Sequence, residues 1–457
     1  MLGFAFALRR EARAKPDNRV RFPNPMLSRC VSAAVLGVVL LSSAPSRAAW
    51  PTLDEALRLA QKRATTVVSA RGQVAVADAS QGSARAPFLG NPYLDMQIDR
   101  GSTTKDVQAM GYLYLPVDIF GQRAARIDEA NALVRWKNFS LQDTQALVAA
   151  ETAYAYGSVL VAAERLELSK RGEQAAKGEV DYFAARLVAQ DATIYERSLA
   201  ETELARWVQL RAEANYGLSS ALVRLSELTQ ETNLTAPQTS PPAATTGVGA
   251  SANASAPLSV LATPAAIMPP DLRTNWDDAA VVQAVERSPS ILSQKTEEDY
   301  WEMAKQRWEA ERRAGISVLL IGGRGDPGDL RLGGGLAITF PFTRRNQTEI
   351  ARAEAEKFRT MMVREAQTRN LTLRLQRTVR AYRDLRDALT SLDSTGIPAA
   401  QRALDAAQEG YRRGKIDLVH AFLARRELAT MQGRRLELVQ VAWRAYSELT
   451  VAKGALP

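Results

Sequence analysis

Apolar residues recur along this 457-residue chain with two different periods. In one kind of segment they alternate with polar residues, as Leu94, Met96 and Ile98 alternate with Asp95 and Gln97. A period of two places the apolar and polar side chains on opposite faces, which predicts a strand. Four strands are predicted, at about 92–99, 108–117, 316–323 and 332–341, of which the second alternates less cleanly than the first.

The predicted strands have the length of strands that cross a bilayer. Each holds about eight to ten residues, which spans the hydrocarbon core when the strand is tilted. Four strands do not close a barrel, and open strand edges are not stable in lipid. If the chain lies in a membrane, we therefore expect several copies to pool their strands.

In the remaining segments apolar residues advance by threes and fours. One such seam runs from Leu371 to Leu392 and another from Leu436 to Tyr446, and both are as narrow as those of coiled coils. The longest predicted helix runs from Thr343 to Gly410, which is about 100 Å at 1.5 Å per residue. The chain is therefore predicted to be mainly α-helical.

Two shorter helices are predicted beside the longest one. One precedes the third strand, from Asp277 to Gly315, and the other follows the next turn, from Asp417 to Lys453. Each is roughly half as long as the longest helix. We expect them to stack end to end along it and to form a wall of even height.

The sequence also contains an internal repeat. Residues 52–56 (TLDEA) recur in kind at 275–279 (NWDDA), and each half is predicted to run helix, strand, strand, helix, helix. We expect a first structural repeat over 50–230 and a second over 271–457. Residues 231–270 are rich in Pro, Ala, Thr and Ser and nearly free of charge, which predicts a linker or insertion.

The N-terminal residues resemble a secretory signal. Arg29 precedes an apolar run from Val31 to Leu41, and small residues follow up to Ala48. The run is roughly eleven residues long, whereas a membrane-spanning helix needs about twenty. We predict cleavage near Ala48, with residues 1–25 a mis-assigned start. No later stretch is apolar enough to be predicted as a membrane-spanning helix, so strands are the expected membrane element.

Net charge and composition exclude several classes of function. The formal charge is +9, but residues 1–48 hold eight Lys or Arg and two acids, so about +3 remains after cleavage. The main support for a nucleic-acid partner is thereby lost. Cys30, the only cysteine, lies in the predicted signal, and His420 is the only histidine. We predict no enzyme, no cofactor and no metal site, since most nucleophilic triads and transition-metal sites draw on these residue types; composition alone does not exclude catalysis by carboxylates.

Three short motifs in the second half resemble the TolC-like outer-membrane factor family. Residues 397–401 (IPAAQ), 411–414 (YRRG) and 422–428 (FLARREL) are similar to the family's Pro-x-Ala run, its Tyr-x-x-Gly turn and the helix after it. In the first half, residues 116–123 (PVDIFGQR) are similar to the family's strand exit. The resemblance runs from about Trp50 to Pro457, with a gap at the predicted linker.

The resemblance implies a fold and a function. Three chains would form a twelve-stranded outer-membrane barrel on a long α-helical periplasmic tunnel. The assembly would be the passive exit duct of a tripartite efflux or type I secretion system. Its partners would be a periplasmic membrane-fusion adaptor, an inner-membrane pump of the RND or ABC type, and outer-membrane lipid. Asn91, Pro92 and Pro398 are similar to the heavy-metal cation efflux branch; the sequence does not identify the cargo.

The family gates and docks at its helical tips, and the resemblance assigns candidates there. The candidates for the periplasmic gate are Tyr182, Asp191, Tyr411, Lys415 and His420. The candidates for adaptor docking are Ala185, Arg186, Gly414 and Leu418.

The chain departs from the family pattern at both tips. Ala185 stands where the first tip would have a glycine, which predicts a tighter helical turn there. Asp191, nine residues after Tyr182, matches an acidic gate position, but His420 stands at the corresponding position of the second half. Leu423 stands where a further acid would be. The acidic ring of the family is therefore incomplete in this chain.

The histidine suggests a hypothesis about gating. Free histidine titrates near pH 6.5, within reach of a mildly acidic periplasm. Asp191 and His420 would then set a pH-sensitive iris; the alternative is that His420 is a solvated helix residue.

Two other classes of protein remain open. A periplasmic coiled-coil adaptor or scaffold would share the long helices, but it would usually hold one helical hairpin between β-rich domains. This chain has two predicted hairpins and four amphipathic strands. An envelope hydrolase or binding enzyme is the third alternative.

Overall fold

Helices and strands follow the same order twice along the chain. A computed structural model describes residues 50–87, 90–100, 107–231, 234, 267–270, 276–324, 329–340 and 345–453. The elements of the first half are α1 (Leu53–Arg63), α2 (Thr65–Ala84), β1 (Tyr93–Arg100), β2 (Val107–Val117), α3 (Gln122–Val188) and α4 (Ile194–Thr229). Those of the second half are α5 (Asp278–Glu286), α6 (Pro289–Glu311), β3 (Gly315–Arg324), β4 (Leu330–Thr339), α7 (Gln347–Ser391), α8 (Ile397–Arg412) and α9 (Leu418–Lys453). The prediction of a mainly α-helical chain with a small β contribution is confirmed to this extent: the chain is mostly helical, and its strands form a small antiparallel sheet.

Two helices, rather than the predicted one, precede the strands in each half. In the first half Ala64 has an extended backbone, with ψ at 134°, and this separates α1 from α2. In the second half Ser288 is extended and Pro289 begins α6. Proline fits the first turn of a helix, because backbone N–H groups in that turn have no acceptor within the helix and proline lacks this group.

The long helical segment of the second half is also interrupted. A π-helical stretch, Leu392–Gly396, lies between α7 and α8, and Pro398 is the second residue of α8. Inside an α-helix the proline ring would clash with the carbonyl four residues earlier, that of Ser394. The wider π turn accommodates the ring, so the segment continues to Arg412 instead of ending at the proline.

The four strands form one antiparallel sheet in the order β1-β2-β3-β4. Leu94 pairs with Leu113, Leu113 with Leu320, and Leu320 with Gly334, so the register is continuous across the sheet. The pairing of β2 with β3 joins the two halves of the chain. Within the described chain, β1 and β4 are edge strands with one side unpaired.

The two faces of the sheet differ in chemistry. The register places twenty described residues on one face, here called the apolar face; they are Leu94, Met96, Ile98, Arg100, Val107, Ala109, Gly111, Leu113, Leu115, Val117, Ile316, Val318, Leu320, Gly322, Arg324, Leu330, Leu332, Gly334, Leu336 and Ile338. Only the two arginines are polar. The opposite face, here called the polar face, carries Asp95, Gln97, Asp99, Ser317 and Arg331.

Most of the large apolar side chains on the apolar face are exposed in the described part of the chain. Met96 is 67% exposed, and Leu332 is 78% exposed. Exposed apolar side chains in such number need lipid or another protein to cover them.

Small residues allow close packing between the helices. A Cβ atom on Gly157 of α3 would lie 2.2 Å from the ring of Trp443 in α9, and one on Gly172 would lie 2.2 Å from the ring of Trp207 in α4. The indole N–H of Trp443 donates to the carbonyl of Ile267, at 2.8 Å. Trp443 therefore connects α3, α9 and the end of the predicted linker.

Two sequence predictions fall largely outside the described residues. The predicted signal peptide lies wholly outside them. From the predicted linker only 231, 234 and 267–270 are described. One window of 18 residues in α3 is long and apolar enough to cross a membrane by composition, which the sequence patterns did not predict, but 67% of that window is buried against neighbouring helices.

Candidate periplasmic gate at the helical tips

Each long helical hairpin ends in a five-residue turn of the same kind. Residues 189–193 join α3 to α4, and residues 413–417 join α8 to α9. Gln190 and Gly414 occupy the same place in their turns and have left-handed backbones, with φ of 63° and 68°. A left-handed residue directly after a helix is a common way to end it.

The backbone hydrogen bonds of the two turns also match. The N–H of Asp191 donates to the carbonyl of Arg186 at 2.8 Å, and the N–H of Lys415 donates to the carbonyl of Gly410 at 2.8 Å. This six-to-one bond is typical of a Schellman motif.

The prediction of a tighter first turn is wrong. Ala185 lies inside α3, four residues before the turn, and Gln190 rather than Ala185 stands opposite Gly414. A side chain in the left-handed region costs about 1–2 kcal/mol relative to glycine, so the first turn keeps the same shape at a higher conformational cost.

The correspondence between the two gate candidates also changes. When α4 and α9 are aligned at their first residues, Asp191 corresponds to Lys415 and Glu196 corresponds to His420. Asp191 was expected to correspond to His420 because each lies nine residues after a tyrosine, Tyr182 or Tyr411. Tyr182, however, lies farther from the end of its helix than Tyr411 does, so this count does not align the two turns.

Glu196 caps the first residues of α4. Its carboxylate accepts from the Thr193 N–H at 2.8 Å, and the Thr193 hydroxyl accepts from the Glu196 N–H at 3.2 Å. The two residues form a capping box, which fixes the carboxylate at the tip. His420 occupies the same place in α9, where its side chain is exposed and its N–H donates to the carbonyl of Asp417 at 3.1 Å.

Side chains of the two hairpins meet at Tyr411. Its hydroxyl donates to a carboxylate oxygen of Glu196 at 3.1 Å, and Arg186 donates to the same hydroxyl at 3.5 Å. Arg186 also donates to the hydroxyl of Tyr182 at 3.4 Å, within its own helix. The contact of Tyr411 with Glu196 therefore links α8 of the second hairpin to α4 of the first.

The electrostatics of this contact favour a neutral tyrosine and an ionised carboxylate. Burial and the neighbouring Glu196 raise the pKa of Tyr411 to about 12. The pKa of Glu196 is lowered, first by the hydrogen bond from the Thr193 backbone and also by the Thr193 and Tyr411 hydroxyls. Tyr411 remains a donor and Glu196 an acceptor throughout the neutral pH range.

An apolar cluster lies beneath the contact. Phe183, Ala200, Leu418 and Phe422 are buried there, and Tyr411 packs against them. Leu418, predicted to dock an adaptor, is only 5% exposed and belongs to this cluster. Ile194, at the same place in the first hairpin, is 74% exposed.

An ion pair joins the hairpins one turn deeper. Arg425 of α9 pairs with the carboxylate of Glu179 in α3 through two nitrogen atoms, and its guanidinium lies 6.0 Å from the ring of Phe422. A two-point arginine–carboxylate contact fixes orientation as well as distance.

The structure brings together only part of the predicted set. Tyr182, Arg186 and Tyr411 are in contact, whereas Asp191, Lys415 and His420 are exposed, as are Ala185 and Gly414. Neither Glu196 nor the Glu179–Arg425 pair was predicted. The capping-box sequence Thr-x-x-Glu at 193–196 was the available signal for the glutamate.

The described residues contain no group of three or more His, Cys, Asp or Glu that could hold a metal ion. The tips also lie far from the sheet, since α3 begins close to β2 and its 67 residues span about 100 Å.

Comparison with known proteins identifies the fold. No protein-family model matches the chain. The cobalt-zinc-cadmium resistance protein CzcC of Cupriavidus metallidurans is 24% identical over 439 residues, which cover 91% of this chain and 93% of CzcC. A membrane protein from Pseudomonas aeruginosa matches with a TM-score of 0.69 at 17% identity, over 88% of this chain and 93% of its own. The CmeC outer membrane channel of Campylobacter jejuni matches with a TM-score of 0.68 at 13% identity, over 88% of this chain and 85% of CmeC.

The chain has the fold of the TolC-like outer-membrane channels.

In this TolC-like chain the sheet and the tips are at opposite ends of the long helices. The family resemblance predicted from the tip and strand-exit motifs is confirmed. The Tyr411–Glu196 contact and the Glu179–Arg425 pair lie at the end remote from the sheet, where they join the two hairpins of the chain.

Proposed function

We propose that the chain is one of three subunits of an outer-membrane exit duct in a tripartite efflux or type I secretion system. The observation that carries this proposal is the sheet, which has one almost wholly apolar face and two unpaired edges. An open edge is not stable in lipid, so β1 of one copy would pair with β4 of the next. Three copies of four strands give a twelve-stranded barrel, within the range of known outer-membrane barrels.

The helices supply the periplasmic part of the duct. Three copies of the two hairpins would enclose a tunnel about 100 Å long, as judged from the length of α3. Such a duct is passive. A periplasmic membrane-fusion adaptor and an inner-membrane pump, of the RND or ABC type, would supply energy and substrate. The signal peptide cleaved near Ala48 would direct the chain to this compartment.

The tips would form the gate. In the proposed closed state the Tyr411–Glu196 contact and the Glu179–Arg425 pair hold the second hairpin against the first. Opening requires the second hairpin to move away from Glu196. The exposed candidates Asp191, Lys415 and His420 would line the mouth, and Ala185, Arg186 and Gly414 would meet the adaptor.

The cargo proposed here is a heavy-metal cation. Its support is the likeness to CzcC, whose name states cobalt, zinc and cadmium resistance. A duct passes its cargo without chelating it, so the proposal needs no resident metal site. Deleting the gene should lower the cobalt, zinc or cadmium concentration that arrests growth. Unchanged metal tolerance together with a lost efflux of drugs would reject the metal cargo and retain the duct.

A periplasmic adaptor or scaffold is the rival function, and membrane fractionation separates the two. The duct should be recovered from the outer-membrane fraction as a detergent-stable trimer that conducts ions in planar bilayers. Recovery as a freely soluble monomer would reject the proposal.

A further inference from the structure

The two polar residues on the apolar face lie at the same end of the sheet. Arg100 is the last residue of β1 and Arg324 the last of β3, and both precede the turns that connect paired strands. The helices join the strands at the opposite end. In the proposed duct the helices are periplasmic, so the two arginines lie at the outer surface. The inference below rests on that proposed orientation.

The height of the apolar face brings the arginines to the level of the lipid headgroups. From Ile316 to Arg324 the strand rises by about 26 Å at 3.3 Å per residue. A tilt of roughly 40° reduces this to about 20 Å along the membrane normal, close to the apolar band of outer-membrane barrels. An arginine at the end of the band reaches the polar layer while the residues below it contact acyl chains.

The two side chains have no partner within the described part of the chain. Arg100 and Arg324 are exposed and make no hydrogen bond or ion pair with a described residue, and the apolar face carries no acid. Arg100 pairs with Val107 of β2, and Arg324 pairs with Ala109 of the same strand. The two arginines are therefore two strands apart and offset by two residues along the strands, which separates their Cα atoms by about 12 Å. Two guanidinium groups at this spacing match an anion with two separated phosphates.

We propose that Arg100 and Arg324 bind the phosphate groups of the outer-leaflet glycolipid, lipid A. Guanidinium binds phosphate through two parallel N–H donors, and partial withdrawal from water strengthens the contact. The occupant is a glycolipid rather than a phospholipid because the arginines face the outer leaflet and because their separation exceeds the size of a single phosphate.

The sheet contains a matched control. Arg331 lies at the same end of the sheet, one residue beyond Leu330, the partner of Arg324, but on the polar face. Arg331→Gln removes the same charge from the same rim without changing the lipid-facing surface.

The test is a binding titration on the purified full-length protein in detergent. Fluorescent lipid A, its form with one phosphate, and phosphatidylglycerol serve as probes. We expect lipid A to bind most tightly and the Arg100→Gln/Arg324→Gln variant to lose roughly tenfold or more in affinity. Arg331→Gln should bind like the wild type, and the Arg100→Lys/Arg324→Lys variant should regain part of the affinity.

Three results would overturn the inference. They are equal binding by the wild type and the double glutamine variant, an equal loss in Arg331→Gln, and phosphatidylglycerol binding as tightly as lipid A. Conductance in planar bilayers separates this failure from a failure of the proposed function. A conducting trimer with unchanged lipid A binding rejects only the arginine site, whereas a protein that neither inserts nor conducts rejects the duct.

Discussion

The long helical segments of the two halves differ in continuity and in packing. Helix α3 runs unbroken over 67 residues and packs against α1, α2, α4, α6 and α9. Its counterpart in the second half is interrupted by the π-helical stretch Leu392–Gly396, and α7 packs against α5, α6 and α9. The first half therefore supplies the continuous helix against which much of the chain packs. The second half contains the interrupted segment, and α9 of the same half packs against α3 of the first half.

The side contacts of the two halves differ as well. Helix α6 is joined to α7 by four ion pairs: Lys305–Glu354, Lys357–Glu302, Arg359–Glu297 and Arg364–Glu298. Between α2 and α3 the contact is instead a hydrogen bond from Gln81 to Asn131, next to buried alanines. The α2–α3 contact therefore depends on close packing of small residues, while the α6–α7 contact depends on ion pairs that solvent weakens.

The largest expected effect comes from separating the two halves at Gly157. In Gly157→Ala the new Cβ would clash with the ring of Trp443, since it would lie only 2.2 Å from the nearest ring atoms. We expect a loss of about 3 kcal/mol, because overpacking forces the backbone or the ring to move. The measurement is the thermal unfolding midpoint of the purified protein in detergent. The control is Gly178→Ala, also in α3, where no atom lies within 4 Å; it should be neutral or slightly stabilising.

A smaller effect is expected from loosening the tips alone. Tyr411→Phe removes the hydroxyl that donates to Glu196 and should cost about 1–2 kcal/mol locally, as expected for a hydrogen bond to a charged group. The conductance of the reconstituted channel should rise while the unfolding midpoint changes little. Tyr182→Phe is the matched control, because its hydroxyl contacts only Arg186 of the same helix among described residues. Equal conductance in both variants would remove Tyr411 from the gate.

Acid should weaken the same contact. The pKa of Glu196 is lowered from 4.5 in the folded protein, so its stabilisation is present above that ordinary value and is lost as the pH falls below it. Conductance should therefore increase below about pH 4.5 in the wild type and become independent of pH in this range in Glu196→Gln.

The same titration tests the histidine hypothesis. A pH-sensitive iris formed by Asp191 and His420 would instead respond between pH 7.5 and 5.5, where free histidine titrates. Identical opening of the wild type and His420→Ala in that interval would reject it and leave His420 as a solvated helix residue.

The smallest expected effect concerns the two turns. Gly414→Ala places a side chain at a φ of +68° and should lose about 1 kcal/mol, whereas Gln190→Gly relieves the same conformation and should gain a similar amount. Opposite shifts of the unfolding midpoint would show that the turns are equivalent despite their different sequences. Shifts of the same sign would contradict that equivalence.

A feature of the fold could be predicted only where it requires a recognisable residue or residue pattern in the sequence. Strand β1 was the easiest to predict, because apolar and polar residues alternate from Leu94 to Asp99, as they do in a sheet with one apolar face. The break at Pro289 carried a helix-start residue, but the break at Ala64 carried no signal, since alanine favours helices. The left-handed backbone of Gln190 could not be predicted either, because glutamine is rarely found in that conformation.

The gate contacts were harder to predict than the fold. Tyr411 was found through its family motif, but its partner Glu196 lies 215 positions away in sequence. Such a pairing depends on how the hairpins pack, and Leu418 was misassigned for the same reason. Local patterns show which face of a helix is apolar, but not which hairpin covers it.

The central claim is that unpaired sheet edges of neighbouring copies pair with one another, and disulfide crosslinking tests it most directly. In a background lacking Cys30, Gln97→Cys on β1 is combined in turn with Gly333→Cys, Gly335→Cys or Ala337→Cys on β4. Within one chain β1 and β4 are three strand spacings apart, about 14 Å, which is too far for a disulfide. We predict that oxidised outer membranes yield covalent trimers, and no larger species, from at least one pairing. Monomers from all three pairings would contradict the account.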